Sequence, residues 1–181
     1  RDNLNLLKER YIIIAKKKTA NLFIASCQTP AILANKNRII QNALRQYGLN
    51  FGIAFQIVDD CLDLIGQAQD LGKSPGADFK MGELTLPVLN LISESKDKNK
   101  ITDLIRQQDR KQAFEEIRQR FVNSPALLKT RKDIFSYIQK AKDSLNRIDN
   151  SCFKKSLYAL ADHIIDKINY DKSWCSLKDH P

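Results

Sequence analysis

The sequence is poor in everything that punctuates a sheet-rich or cross-linked protein. Six glycines and five prolines in 181 residues are too few for a sandwich or barrel, where turn signals recur every ~8–12 residues. Such a composition favours long helices. Cys27, Cys61, Cys152 and Cys175 stand far apart in no paired spacing, which excludes a zinc ribbon and a disulfide framework. Unpatterned cysteines suit a reducing compartment, so a cytoplasmic location is expected. The longest apolar run, FGIAFQIV, has eight residues, far short of the ~18 needed for a membrane span. His163 and His180 are both remote from the charged clusters described below, and neither is assigned a role. The chain opens on Arg1 and holds one methionine, Met81; it is therefore expected to be the C-terminal portion of a longer protein.

Hydrophobic residues make up 43% and charged residues 28% of the chain, a globular composition. The length fits one domain, expected over residues 1–170, with 171–181 as a frayed tail. The net charge of +9 is unevenly placed. Residues 1–50 carry nine basic and two acidic side chains, residues 51–100 five and eight, and residues 101–150 eleven and seven. An acidic centre between basic flanks suits small, strongly anionic substrates. Basic flanks also fit RNA or an anionic lipid surface. Against nucleic acid, the basic residues are not interleaved with aromatics or glycine and no recognition motif is present.

The acidic centre is the stretch FGIAFQIVDDCLDLIG, residues 51–66. It sets Asp59, Asp60 and Asp63 in an otherwise apolar helical run. Carboxylates are almost never buried unless paired or metal-bound, and a helix apolar nearly all round is a buried one. Asp59 and Asp63 lie one turn apart on one face; Asp60 is roughly 100° round the axis. Their charges repel unless a hard divalent cation shares them. Oxygen-only ligands with room for water and phosphate suit Mg²⁺. Cys61, between two of the acids, is expected to be a small packing residue rather than a nucleophile.

The residues that follow, QAQDLGKSPGADFKMGELTLP, form a loop shaped by Gly72, Pro75, Gly76 and Gly82. It carries Lys73, Asp78 and Lys80, and a lysine there can balance phosphate charge. The ordered set Gly52, Phe55, Gln56, Asp59, Asp60, Asp63, Gly72, Lys73, Gly76, Asp78, Gly82, Thr85, Leu86 and Pro87 resembles the second aspartate-rich motif of the trans-type isoprenyl (polyprenyl) diphosphate synthases. KKKTANLF at 16–23 resembles that family's Lys-Thr-Ala segment; by itself it would read as a solvated basic face. TRKDIFSYIQKAKDSL and SLYALADHIIDKI resemble the closing helices, which extends the likeness loosely to Tyr170. Two features depart from the pattern. The family often carries a lysine where Glu83 stands. Its first aspartate-rich motif has no counterpart here, because no second pair of adjacent aspartates occurs.

The resemblance implies an all-α fold, part of the isoprenoid synthase helical bundle with its N-terminal helices missing. It implies a Mg²⁺-dependent prenyltransferase that condenses isopentenyl diphosphate head to tail with an allylic diphosphate. Asp59, Asp60 and Asp63 would be its metal residues. Lys18, Gln56 and Lys73 would be catalytic, and Lys18, Thr19, Gln56 and Lys73 would bind substrate. Gln56, one turn before Asp60, would present a neutral amide to the same cavity. The diphosphate itself would take the final proton. The intact protein is expected to be a homodimer, and the isolated chain to be inactive and poorly soluble. Two other readings stand beside this one. A non-catalytic partner subunit of a heteromeric synthase would have no reason to keep three repelling acids. A basic helical binder of nucleic acid or lipid surfaces would not explain the motif.

Periodicity and breakers predict helices over 4–26 (stopped before Pro30), 35–65 (stopped at Gly66) and 85–93. Further helices are expected over 101–107, 110–122, 125–148 and 152–170. Gly48 and Gly52 either admit a close neighbour or bend the second helix.

Overall fold

In the computed structural model, which describes residues 2–66 and 75–170, every regular element is a helix. Helix α1 (Asp2–Ala15) runs through a π turn (Lys16–Ala20) into α2 (Asn21–Leu33). The long α3 (Arg38–Ile65) follows, then the single turn α4 (Ala77–Lys80) and α5 (Leu86–Glu94). The chain continues as α6 (Lys98–Arg106), α7 (Arg110–Val122) and α8 (Pro125–Ser144). A 3₁₀ turn (Leu145–Arg147) leads to α9 (Cys152–Tyr170).

The helix starts follow their caps. Asp97 accepts the Lys100 N–H, Asp109 those of Lys111 and Gln112, and Ser151 that of Lys154. Pro30 does not stop the first helical run, which continues to Leu33. A proline there orphans only the Ser26 carbonyl, and both residues are exposed to water. The stop comes at Asn35, in the left-handed region at φ 48°. Its N–H donates to the Ile32 carbonyl at 2.9 Å and that of Lys36 to Ala31 at 3.0 Å. Asn37 then caps α3 through the Ile40 N–H at 3.0 Å.

Within the residues expected as one domain, the contacts divide into two compact units, of residues 2–11 with 57–132 and of residues 12–56 with 133–170. Their boundaries fall inside α1, α3 and α8. The tail 171–181, with Trp174, lies outside the described residues.

In the first unit, α5, α6 and α7 bury Leu89, Leu91, Ile101, Leu104, Ile117 and Phe121. A polar line runs through this interior without leaving its groups unpaired. The Lys8 ammonium donates to Asn90 Oδ1 at 2.8 Å, and Asn90 Nδ2 donates to Thr130 Oγ1 at 3.0 Å. Thr130 in turn donates to the Ala126 carbonyl at 2.8 Å. Such satisfaction is what lets Asn90 and Thr130 be wholly buried.

In the second unit, Ile134, Ile138, Ala141 and Leu145 form a buried stripe on α8 and the turn after it. Tyr47 stacks on Phe51 with ring centres 5.7 Å apart, and its hydroxyl donates to the Leu157 carbonyl at 2.7 Å. That bond ties α3 to α9. Gly48 and Gly52 serve close approach rather than a break in α3. A Cβ at Gly48 would lie 2.5 Å from the Phe23 carbonyl oxygen, and one at Gly52 2.5 Å from the Ala20 Cα. Buried Ala15 and Ala20 are five residues apart in sequence. The π turn absorbs the extra residue, so that Lys16, Lys17 and Lys18 stay exposed. Ile13, Ile14, Leu22, Ile32 and Leu33 are exposed apolar side chains of this unit.

Candidate active site

The residues singled out by the motifs fall on α1, the π turn, α3 and the segment that begins at Pro75. Each unit holds its own share of them.

In the second unit, the π turn and α3 bring Thr19 and Gln56 together, and the Thr19 hydroxyl donates to Gln56 Oε1. Gln56 is only 4% exposed, so this bond serves an amide that burial would otherwise penalise. The pairing follows from the glycine stripe. Gly48, Gly52 and Gln56 recur every four residues along one face of α3. Two positions without side chains let the backbone of the π turn and α2 come near, and the third carries the side chain that meets it. Phe23 packs on Phe51 and Phe55 beside them, at ring-centre distances of 5.0 and 5.4 Å. Lys18 is exposed.

In the first unit, the last two turns of α3 carry the three acids. Asp60 is 3% exposed, and Tyr11 of α1 donates its hydroxyl to Asp60 Oδ2 at 2.6 Å. That short hydrogen bond to a carboxylate is of the strong, charge-assisted kind. Asp63 is equally buried. Its carboxylate accepts the Ala77 N–H at 3.3 Å and the Asp78 N–H at 3.2 Å, and its carbonyl accepts the Gly76 N–H at 2.9 Å. Asp59 is half-buried. Cys61 is fully buried, the place of a packing residue. Lys73 and Gly72 lie outside the described residues. His163 is exposed.

Sequence reasoning missed Tyr11 and the 76–78 backbone. Nothing in spacing announces a backbone donor. Tyr11 had one signal, a polar tip four residues before the small Ala15 on one helix face.

Among the described residues, no group of three or more histidine, cysteine, aspartate and glutamate side chains is gathered as a metal cage. The donor chemistry still suits a hard divalent cation, since all three acids offer oxygen only. Asp60 is engaged by Tyr11 and Asp63 by two N–H groups, while Asp59 is the most exposed of the three. No described helix is long and apolar enough to cross a membrane.

The chain is similar to known proteins in sequence and in fold. Residues 1–121 match the family model described as polyprenyl synthetase. The chain is 33% identical over 154 residues to heptaprenyl diphosphate synthase component 2 of Bacillus subtilis, covering 85% of this chain and 44% of that one. It is 32% identical over 162 residues to the octaprenyl diphosphate synthase of Haemophilus influenzae, covering 88% of this chain and 49% of the relative. Among solved structures, the polyprenyl synthase of Caulobacter crescentus, complexed with calcium and isoprenyl diphosphate, superposes with a TM-score of 0.79 at 34% identity. That match covers 86% of this chain and 48% of the other. The chain thus spans about half the length of the curated relatives it matches.

Proposed function

The chain belongs to the polyprenyl synthetase family, and from that membership we propose that it is the second half of a Mg²⁺-dependent prenyltransferase. The reaction is head-to-tail condensation of isopentenyl diphosphate with an allylic diphosphate. The reading rests on one observation: the ordered motif from Gly52 to Pro87 stands within the family match, and the helix that carries its three acids buries two of them.

Asp59 would hold the divalent cation, with Asp60 as its neighbour. When bound, the cation supplies positive charge opposite the diphosphate that leaves as the allylic C–O bond breaks. The chain's own residues do the rest. Lys18 and Lys73 neutralise diphosphate oxygens. Gln56 would hydrogen-bond the diphosphate through its neutral side-chain amide. The departing diphosphate takes the last proton, so neither histidine is needed. The calcium and isoprenyl diphosphate in the Caulobacter protein support this ligand chemistry.

Opposing acids would come from outside these 181 residues. The half-length coverage of relatives and the exposed Ile13, Ile14, Leu22 and Leu33 support a further helical layer. A cytoplasmic homodimer is the form we expect for the intact protein.

The test is turnover of isopentenyl and allylic diphosphates by the intact protein with Mg²⁺. Asp59→Ala should lower kcat by on the order of 100- to 1000-fold, and Asp70→Ala should leave it nearly unchanged. Equal activities of the two variants would remove the cation role from Asp59.

A further inference from the structure

Asp63 belongs by motif to a metal-binding trio, yet its surroundings assign it other work. It lies in the last turn of α3, which ends at Ile65. The negative end of the helix dipole disfavours a carboxylate there. Asp59, one turn earlier, adds a like charge. A carboxylate 3% exposed in that position needs donors of its own.

Three successive backbone N–H groups supply them. Those of Gly76, Ala77 and Asp78 point at the Asp63 carbonyl and at its two carboxylate oxygens, at 2.9, 3.3 and 3.2 Å. Successive N–H groups converge in this way where a residue adopts the left-handed conformation, and Gly76 sits at φ 80°, ψ 22°. A side chain is excluded there on a second ground: a Cβ would lie 2.6 Å from the Phe114 ring. Beyond the turn, Phe79 packs on Phe114 at 6.0 Å between ring centres, and the Arg110 guanidinium lies 5.8 Å from the Phe79 ring centre. The turn α4 is therefore held on α7 at one side and on Asp63 at the other.

We propose that Asp63 is a positioning residue that clamps residues 76–78 to the end of α3, rather than a ligand of the cation. The last acid of the motif then keeps its place one turn beyond Asp59 because that is where the returning backbone needs an acceptor. The returning backbone, not a cation shared with Asp59, then meets the Asp63 carboxylate. What the clamped segment serves rests on the function proposed above; the clamp itself does not.

The test uses the intact protein and two readouts, amide hydrogen exchange across residues 75–83 and Mn²⁺ binding followed by electron paramagnetic resonance. Asp63→Ala should speed exchange at Ala77 and Asp78 by about tenfold or more, as loss of hydrogen bonds to a charged acceptor implies. Asp63→Asn keeps one acceptor oxygen, preserves side-chain volume, and should give a smaller rise. Gly76→Ala, which changes no acid, should reproduce the faster exchange. Asp59→Ala should leave exchange unchanged but weaken Mn²⁺ binding by about tenfold or more, whereas Asp63→Ala should stay within about threefold of the parent protein. Unaltered exchange in Asp63→Ala, or a loss of Mn²⁺ affinity equal to that of Asp59→Ala, would overturn the clamp. Absence of condensation or of Mn²⁺ binding in the parent protein would instead count against the proposed enzyme, and exchange would still decide on Asp63.

Discussion

Upstream of Ile57, α3 is fixed by side chains that are not there; downstream, it is fixed by side chains that carry charge. Gly48 and Gly52 leave room for the backbone of Phe23 and Ala20, and the neutral pair of Thr19 and Gln56 continues the same face. At Asp60 and Asp63 the helix instead places carboxylates in the interior and meets them with the Tyr11 hydroxyl and the 76–78 backbone. The first device is steric and indifferent to charge. The second depends on donors that arrive from distant sequence. A methyl group should break the one, and the loss of a single oxygen the other.

The largest effect is expected from adding that methyl group. At Gly48 and Gly52 the new Cβ would meet backbone atoms at 2.5 Å, and backbone cannot swing aside as a side-chain tip can. Gly48→Ala and Gly52→Ala should each cost about 2–3 kcal/mol, the upper part of the usual range for overpacking. Gly82→Ala is the control. Its φ of +80° strains any side chain, but the nearest atom, an Arg110 nitrogen, is 4.0 Å away. A cost of ~1 kcal/mol is expected there. Urea unfolding of the three variants measures the difference; equal costs at positions 52 and 82 would deny the close approach.

The charged half should be most sensitive at Tyr11. Tyr11→Phe keeps the ring and removes one donor from a buried carboxylate. The expected cost is about 1.5–3 kcal/mol, the range for hydrogen bonds to charged groups. Thr19→Val removes a neutral donor from Gln56 and should cost about 1 kcal/mol. Double-mutant cycles with Asp60→Asn and Gln56→Leu isolate the pair energies. A Tyr11–Asp60 coupling no larger than that of Thr19–Gln56 would erase the distinction between the halves.

The helical class and the placement of α3 and α5–α9 were legible in the sequence, because their apolar period, caps and stops are local. Gly66 and Thr85–Pro87 fall where the helices end and begin. Pro30 misled because its cost depends on whether water reaches one freed carbonyl, and that is a tertiary fact. The π turn at Lys16–Ala20 was invisible for a similar reason: only the burial of both Ala15 and Ala20 reveals the extra residue. At the candidate site, the order of the motif residues stands in the sequence, but the partners of Asp60 and Asp63 do not. Tyr11 stands 49 residues from Asp60, and N–H donors at 76–78 leave no mark in residue identity apart from Gly76.

Alkali gives the smallest and most selective test, since it acts on the neutral half through Tyr47. Burial, with a smaller contribution from Cys27, holds this phenol well above its ordinary value. The folded state therefore keeps a proton that the unfolded chain releases near pH 10. A group whose pKa rises on folding contributes stability that is whole below the unfolded value and is lost as pH climbs past it. Between about pH 10 and 11 the protein should lose stability by less than the ~1.4 kcal/mol per pH unit that one proton allows. Tyr47→Phe forfeits the bond to the Leu157 carbonyl and should be less stable at pH 8 by about 1 kcal/mol. It should also show a shallower loss through the alkaline window. Denaturant unfolding of both proteins at pH 8 and pH 10.5 decides the point: parallel losses would mean that Tyr47 is not held protonated by its burial, and that the neutral half is not as dry as its packing makes it.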